Sequence, residues 1–399
     1  MLNWEQTPCL ATMRCCRAWV EIDLDALKHN VRQILQILSQ GTQLMAVVKA
    51  DAYGHGAIAI ASAALEAGAT WLGVATVPEG IELRQGGIKA PILVMGAVHS
   101  CEEINAIVSW QLQPTLVMPK QALVFSDTLS RTRGASALPV HLQLDTGMSR
   151  LGYPWQEAVN FANFVSRLPN LDIVGIYSHL ATADSQDQTI MRQQQNQFEL
   201  ALSKLKAANL LPPLKHFANS AATLIDSALH HDLVRVGLAN YGLYPAPHLH
   251  QHVNLRPVMQ VKARITHIKD IPAGTGVSYG HQFVTSRSTS IAVVGIGYAD
   301  GVPRALSNQM SVLLKGKRAS QVGAITMDQL MLDITDLPGV QEGDVVTLLG
   351  TDGSQQITAD EWATLSKTIS WEILCGFKHR LPRIVSDVRH SEASRVSLR

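Results

Sequence analysis

Polar and ionisable side chains sit at the ends of short apolar runs in the first two thirds of the chain. MAVVKADAYGHG places Lys49 just past buried-type residues, and HLQLDTGMSRLG supplies Asp145 and Arg150. YSHLATAD ends on His179, HFANSAA on Asn219 and Ser220, and VRVGLANYG carries Arg235 and Gly237. In a strand, side chains two apart share a face, so His141, Gln143 and Asp145 point one way while Leu142 and Leu144 point the other. Tyr177 with His179, and Arg235 with Gly237, pair in the same sense. Polar groups turned into an interior must be hydrogen-bonded or charge-paired. A structural network satisfies that for any one of them, whereas all of them at one rim point to a site. An anion fits part of that rim. Asn219-Ser220 precedes a helical pattern over 221–229, which makes Ser220 an N-cap whose helix offers free N–H groups to a phosphate. Gly237 lets the backbone approach closely. An ordinary cap and turn glycine is the plain alternative.

The elements that must position these groups alternate in type. β-rich runs cover 44–48, 71–75, 92–95, 115–118, 140–144, 173–177, 214–217 and 233–236, with helix-length stretches such as 57–67 and 191–208 between them. Such alternation means a parallel sheet, and eight units suggest a closed (β/α)8 barrel, whose site lies at the carboxyl ends of its strands and whose phosphate contacts often follow strands seven and eight. An open doubly wound sheet would usually carry G-x-G-x-x-G after its first strand, and that is missing. The pattern changes near residue 245. YPAPHLHQH over 244–252 reads as a domain crossing, and β-rich runs at 261–268, 290–296, 311–314, 329–334 and 344–349 follow, with one helical pattern at 358–368. The expected organisation is an N-terminal extension over 1–17, a barrel over 18–248, a mostly-β C-terminal domain over 249–386 and a polar tail over 387–399. The run 19–23 is a candidate to pair with the β domain. Residues 1–12 are either a loose extension or the product of an upstream start, since Met13 lies just before the first strand-like run.

Bulk properties remove several classes. With 399 residues, 46% hydrophobic and 16% charged, the chain is a normal globular mix, and a net charge of +1 gives no global field for nucleic acid or an anionic membrane. No apolar stretch approaches the ~20 residues of a membrane span, and the N-terminus lacks the apolar region of a signal peptide. Five cysteines without a C-x-x-C pair argue against a disulfide framework and a zinc site, fit a reducing compartment, and leave Cys375 as a buried small hydrophobe. No metal site is expected.

AVVKADAYGHG, LDTGMSRLG, ANSAA, RVGLANYGLYP, GVSYG, IGYADG and VGAITMDQ occur in order from about Ala18 to about Pro382. This set resembles the alanine racemases, pyridoxal phosphate enzymes with a barrel and a C-terminal β domain. The resemblance implies that Lys49 joins its ε-amine to the cofactor aldehyde and later acts as a base at Cα. Desolvation at an apolar strand end would lower its pKa and free the amine. Tyr279, in GVSYG, resembles the second base, which in the family enters from a partner subunit of a homodimer and works on the opposite face. Tyr53, Asn219, Ser220, Gly237 and Leu238 fall on cofactor-holding positions, His179 matches the residue packed against the cofactor ring, and Arg235 the one facing its pyridine nitrogen. An arginine effectively never gives up its proton, so that nitrogen stays unprotonated and the ring is a weaker electron sink. Arg150 and the Met327 N–H resemble the contacts to the substrate carboxylate, while Tyr298 and Asp328 sit in the matching mouth. Each has a plain reading too: Tyr298 as a core aromatic, Asp328 as a turn former, His55 as a satisfied loop histidine. The family role is D-alanine supply for cell-wall peptide, which places the chain in a bacterial cytoplasm.

Two positions depart from the pattern. The family often carries a carbamylated Lys where this chain has Gln143, which brings no charge to Arg150; a bound anion such as chloride would be the substitute. ISWEILCGFKHRLPR places Trp371 where the family has a phosphate-binding Tyr, and an indole N–H is likewise a donor. The rivals to racemisation of alanine are a broader amino-acid racemase, a pyridoxal phosphate decarboxylase of similar architecture, a non-catalytic cofactor-binding protein and a barrel hydrolase. SYG and MDQ argue against the decarboxylase, and the roughly 150 residues after the barrel argue against the binding protein, which lacks a β domain.

Overall fold

The structure is a computed structural model that describes residues 16–131, 137–377 and 379–386; residues 1–12 and the tail over 387–399 lie outside it. Eight parallel strands follow one another round a sheet: Gln43–Val47, Trp71–Val74, Ile92–Ala97, Gln113–Leu116, Leu138–Asp145, Leu171–Tyr177, Leu214–His216 and Leu233–Val236. The eighth pairs in register with the first, Val234 opposite Leu44. The seventh and eighth meet where Asp232 N–H donates to Lys215 O and Arg235 N–H to Ala218 O, both at 3.0 Å. This is the (β/α)8 barrel that the alternation predicts, followed in the chain by a mostly-β domain.

Strands buried on both faces explain why the barrel runs read as nearly unbroken apolar segments. Trp71–Val74 and Leu233–Val236 are buried throughout. Met45, Trp71, Leu93, Tyr177 and Leu233 form one packed cluster. Outer helices bury a stripe at spacings of three and four, as Met191, Gln194, Phe198, Ala201, Leu202 and Leu205 do on Thr189–Ala207. Gly175, in the sixth barrel strand, is there for space: a Cβ would come 2.2 Å from His141 Nδ1, so only glycine admits the buried ring of the neighbouring strand.

Contacts divide the chain into two compact units, 26–52 with 57–256, and Tyr53–Gly56 with residues up to Asp25 and from Pro257 onward. The second is organised round the long strand Met259–Ile271, which pairs antiparallel with Ala18–Asp23, Thr289–Val294 and Val345–Asp352. The early run thus joins the β sheet, where it also lies parallel to Arg383–Ser386. The sequence reading passed over the hairpin partner Lys317–Ser320, the short pair Gly276–Val277 and Phe283–Val284, and the helix Ser370–Gly376. Val277, Ile291, Val322 and Met331 pack a core beneath that short pair. Among the described residues no helix is long and apolar enough to cross a membrane.

Candidate active site

Lys49 follows the first barrel strand and opens a turn of helix, Lys49–Gly54, of unusual hand. Ala50, Asp51, Ala52 and Tyr53 have φ of 54°, 53°, 52° and 56°, so the turn is left-handed. That conformation costs roughly 1–2 kcal/mol per residue for anything but glycine, so the surroundings must hold it. Ala52 N–H donates to Val48 O (2.9 Å), Ala57 N–H to Asp51 Oδ1 (2.7 Å) and Ala50 N–H to Glu79 Oε1 (2.8 Å). The other oxygen of Glu79 takes Ala75 N–H at 2.7 Å and Thr76 N–H at 3.1 Å. A single carboxylate therefore fastens the amide next to Lys49 to the end of the second barrel strand.

Arg235 is buried at 3% exposure on the eighth strand. Its guanidinium donates to Ser178 O (2.7 Å), Phe217 O (3.3 Å), His216 Nδ1 (3.1 Å) and His179 Nδ1 (3.3 Å), and lies 4.9 Å from the Tyr177 ring centre. Burial brings its pKa down to about 10, so it stays charged at neutral pH, and among the described residues no carboxylate is one of its partners. His179 is pushed down to about 3, first by burial and then by the charges of Arg235, Arg150 and Lys49. The sequence-predicted Lys49, Arg150, His179 and Arg235 thus share one electrostatic environment. Behind Arg235 a chain of rings continues. His216 bonds His141 at 3.0 Å, and His141 bonds Gln113 Oε1 at 3.0 Å. Burial, followed by the Arg235 charge, drives His141 to about 3 and His216 well below its usual value, so both are neutral.

Gln143 is buried with both ends of its amide engaged: its Oε1 accepts from Tyr177 OH at 3.1 Å and its Nε2 donates to Leu151 O at 3.3 Å. Burial raises the Tyr177 phenol to about 12, which keeps it a donor. Asp145 has a local task, accepting from the N–H groups of Gly147, Met148 and Ser149. Arg150 is exposed.

The predicted anion site differs in one respect. Asn219, not Ser220, is the N-cap, its side chain accepting from Ala222 N–H at 3.1 Å. Asn219 has the extended backbone a cap requires, and Ser220 is the first helical residue. Asp226 stops the helix at Ile225, and a separate 3-10 turn covers Ser227–Leu229. Ser220 Oγ instead accepts from Gly237 N–H at 3.0 Å, at the start of the 3-10 turn Leu238–Tyr241. Two helical N-termini thereby meet, and among the described residues the N–H groups of Ser220, Ala221 and Leu238 make no hydrogen bond. Unclaimed N–H groups at two such ends suit a phosphate.

The second unit holds the remaining candidates. Burial pushes the Tyr53 phenol above its ordinary value, and Cys375 beside it pushes the same way, so Tyr53 is a neutral donor. Cys375 is half-buried rather than a core residue. Trp371 lies four residues before it on Ser370–Gly376 and shares its helix face. Arg383 grips the carbonyl of Gly54 with two N–H groups, at 3.2 and 3.1 Å. His55 is a loop histidine whose Nδ1 lies 3.1 Å from Tyr53 O. Tyr279 is 74% exposed and Met327 53%. The Met327 N–H makes no hydrogen bond among the described residues. Tyr298 is not a core aromatic; it lines a cleft of about 370 Å³ with Arg304 and Glu372. Asp328 accepts from Arg380 at 2.7 Å, and Arg380 also lies 3.5 Å from the buried Asp300, which holds Arg17.

Comparison with known proteins settles the family. The profile for the alanine racemase N-terminal domain matches residues 22–245, and that for the alanine racemase C-terminal domain matches 258–385. The chain belongs to the alanine racemase family. It is 63% identical to alanine racemase of Nostoc sp. over 92% of this chain and 95% of that one, and 60% identical to that of Synechocystis sp. over 92% and 99%. Among solved structures, alanine racemase from Bacillus anthracis with bound L-Ala-P matches with a TM-score of 0.87 at 38% identity, over 93% of this chain and 95% of that one.

The donors gathered in the barrel unit of the chain fit the cofactor that membership in the alanine racemase family implies. A phosphate would meet the amides of Ser220, Ala221 and Leu238, a pyridine nitrogen would meet a permanent cation, and an aldehyde would meet the amine of Lys49. Glu79, Gln113, His216 and Asp300 were missed by the sequence reading. Glu79 had a signal in Thr76-x-x-Glu79, a capping-box spacing, but that spacing predicts helix N-terminus work and not a hold on Ala50. Gln113 and His216 contribute through pairings between strands that no local pattern displays.

Proposed function

We propose that the chain interconverts L- and D-alanine with pyridoxal phosphate, as a homodimer in a bacterial cytoplasm, and supplies D-alanine for peptidoglycan. The observation that carries the reading is Arg235: a buried cation with no carboxylate partner among the described residues, bonded to His179, which also feels the charge of Lys49. Bound pyridoxal phosphate supplies an electron sink for the pair left at Cα. Lys49 takes or returns the Cα proton on one face and Tyr279 on the other, since a single base would return the proton to the face it left. Arg235 would keep the ring nitrogen of the bound cofactor unprotonated, and His179 would pack against that ring. Ser220, Gly237, Leu238, Asn219, Tyr53 and Trp371 hold the phosphate end. Arg150 and the Met327 N–H hold the substrate carboxylate, with Tyr298 and Asp328 at the mouth and Gln143 in support. Exposure of Tyr279, Met327 and Val284, at 74%, 53% and 55%, supports a second copy that covers this surface. The proposed functional divisions are the barrel over 18–248 and the β domain over 249–386, except that Ala18–Asp23 pairs within the β sheet.

The deciding experiment measures alanine interconversion with and without added cofactor. Loss of activity in both Lys49→Ala and Tyr279→Phe supports the two-base scheme. Borohydride reduction that left Lys49 unlabelled on peptide mapping would refute it. An amino-acid panel with a carbon dioxide assay separates alanine from broader racemisation and from decarboxylation, and sedimentation at several concentrations tests the dimer.

A further inference from the structure

Ser278 stands immediately before Tyr279, and its backbone is at φ 64°, ψ −171°. That region is essentially restricted to glycine, because a Cβ crowds the neighbouring peptide groups. A serine persists there only if the surroundings hold it. Two features do so. Ser278 Oγ donates to Ala324 O at 2.7 Å. The facing residue, Gly323, has φ +76°, and a Cβ on it would come 2.7 Å from Val277 O and 3.0 Å from Ser278 Cβ. The two segments therefore lie in direct contact because Gly323 has no side chain.

Gly323 is itself anchored. Its N–H donates to Asn308 Oδ1 at 2.6 Å, and its carbonyl accepts from Gln321 Nε2 at 2.8 Å. Ile325 N–H donates to Ser307 Oγ at 3.0 Å. The segment that receives the Ser278 hydroxyl is thus rigid, and three residues beyond Ala324 comes Met327 with its unclaimed N–H. Tyr279 has no such support of its own, being 74% exposed on a short hairpin and followed by Gly280 at φ 72°.

We propose that Ser278 is a positioning residue whose strained backbone and hydroxyl tie set the Tyr279 phenol in a fixed relation to the Met327 N–H. The role deepens the two-base reading and rests on it: a base acts on Cα only if the phenol and the carboxylate contact keep their spacing. Strain relief and catalysis then have opposite signs at this residue. A glycine accepts the backbone without cost but leaves the hairpin untied.

The test compares Ser278→Gly and Ser278→Ala with wild type, all as holoenzyme. For Ser278→Gly we expect a melting temperature no lower than wild type and kcat reduced about tenfold or more. The primary isotope effect should rise with α-deuterated substrate of one enantiomer only, because one base serves each face. Ser278→Ala, which keeps the strain and loses the tie, should lower both the melting temperature and kcat. Amide exchange at His281, whose N–H donates to Ser278 O at 3.3 Å, should quicken in both variants without reference to turnover. Wild-type kcat and isotope effects in Ser278→Gly, or unchanged exchange at His281, would overturn the proposal. A wild-type chain inactive on alanine would instead defeat the function reading, and the exchange measurement would still decide the role of the tie.

Discussion

Replacing Glu79 by Gln tests whether one carboxylate keeps Lys49 in place. Four residues after Lys49 are left-handed, a cost of roughly 4–8 kcal/mol in all at about 1–2 each. Three backbone amides reach the Glu79 carboxylate, at 2.8, 2.7 and 3.1 Å. Only the Ala50 bond ties the turn to that carboxylate, and a hydrogen bond to a charged group contributes about 1.5–3 kcal/mol, so it offsets part of the strain while the Asp51–Ala57 and Ala52–Val48 bonds hold the rest of the turn. A glutamine keeps one acceptor oxygen and turns an NH2 group toward an N–H of Ala50 or of Ala75 and Thr76. Loss of the Ala50 bond amounts to about 1.5–3 kcal/mol, or roughly a 10- to 150-fold rise in local opening. Amide exchange at Ala52, whose N–H donates to Val48 O within the turn, reads that opening directly. Affinity for pyridoxal phosphate should fall in parallel, while the eighth strand, Leu233–Val236, should exchange as in wild type. Wild-type exchange at Ala52 in Glu79→Gln would refute the argument, because the turn would then be held by something else.

Four further outcomes follow from the same geometry. His141 has a folded pKa of about 3 against an ordinary 6.5, so the unfolded chain binds its proton first as pH falls and stability is lost across that interval. At pH 5 this is worth about 2 kcal/mol, and His141→Gln should shrink the difference in unfolding free energy between pH 7 and pH 5 by that amount; an unchanged difference contradicts it. Gln143 has no amine to carbamylate and both ends of its amide are engaged, so removing carbon dioxide should leave activity unchanged, and loss with recovery on its return would be the contrary result. If Trp371 reaches the phosphate, Trp371→Phe should weaken cofactor binding about three- to tenfold, the worth of one hydrogen bond, and equal affinity removes that contact. Nitrogen NMR of the imidazole rings should find the Nε2–H tautomer in both His141 and His216, and an Nδ1–H in either would contradict a series that runs from Arg235 through the two rings to Gln113.

The barrel was legible because burial on both faces writes itself into composition. Runs such as LMAV and ILVM are apolar at every position, and the helices between them are spaced to match. Its rim was legible for a related reason: a polar residue that ends such a run must point into the site or be wasted. The β domain was half legible. Its long strands were found, but Gly276–Val277 and Phe283–Val284 are two residues each, too short for any period to show. Ser220 was misplaced by one position because Asn and Ser are equally good caps and only backbone angles separate them. The left-handed turn after Lys49 left no trace at all. KADAYG has no glycine until its end, and nothing local in Ala-Asp-Ala-Tyr announces positive φ. That conformation is imposed from outside, by Glu79 and by the bonds that close the turn.

The polarity of the buried ring network explains how a lone cation can be kept in the barrel. Arg235 can only donate, so Nδ1 of His216 must accept and Nε2 must carry the proton. That proton points at Nδ1 of His141, whose own Nε2–H is then directed at Gln113 Oε1. Every hydrogen in the series points away from Arg235, and the dipoles add. The negative ends of two neutral rings and two backbone carbonyls surround the guanidinium without any one of them being able to neutralise it. A carboxylate would satisfy the same donors, but it would add its own desolvation cost and cancel the charge. The arrangement therefore separates two demands that an ion pair would merge: the donors are satisfied, and the positive potential at the rim survives. Neutrality of the rings is part of this, because a proton on either histidine would place a second charge in the same interior and break the series where it now accepts.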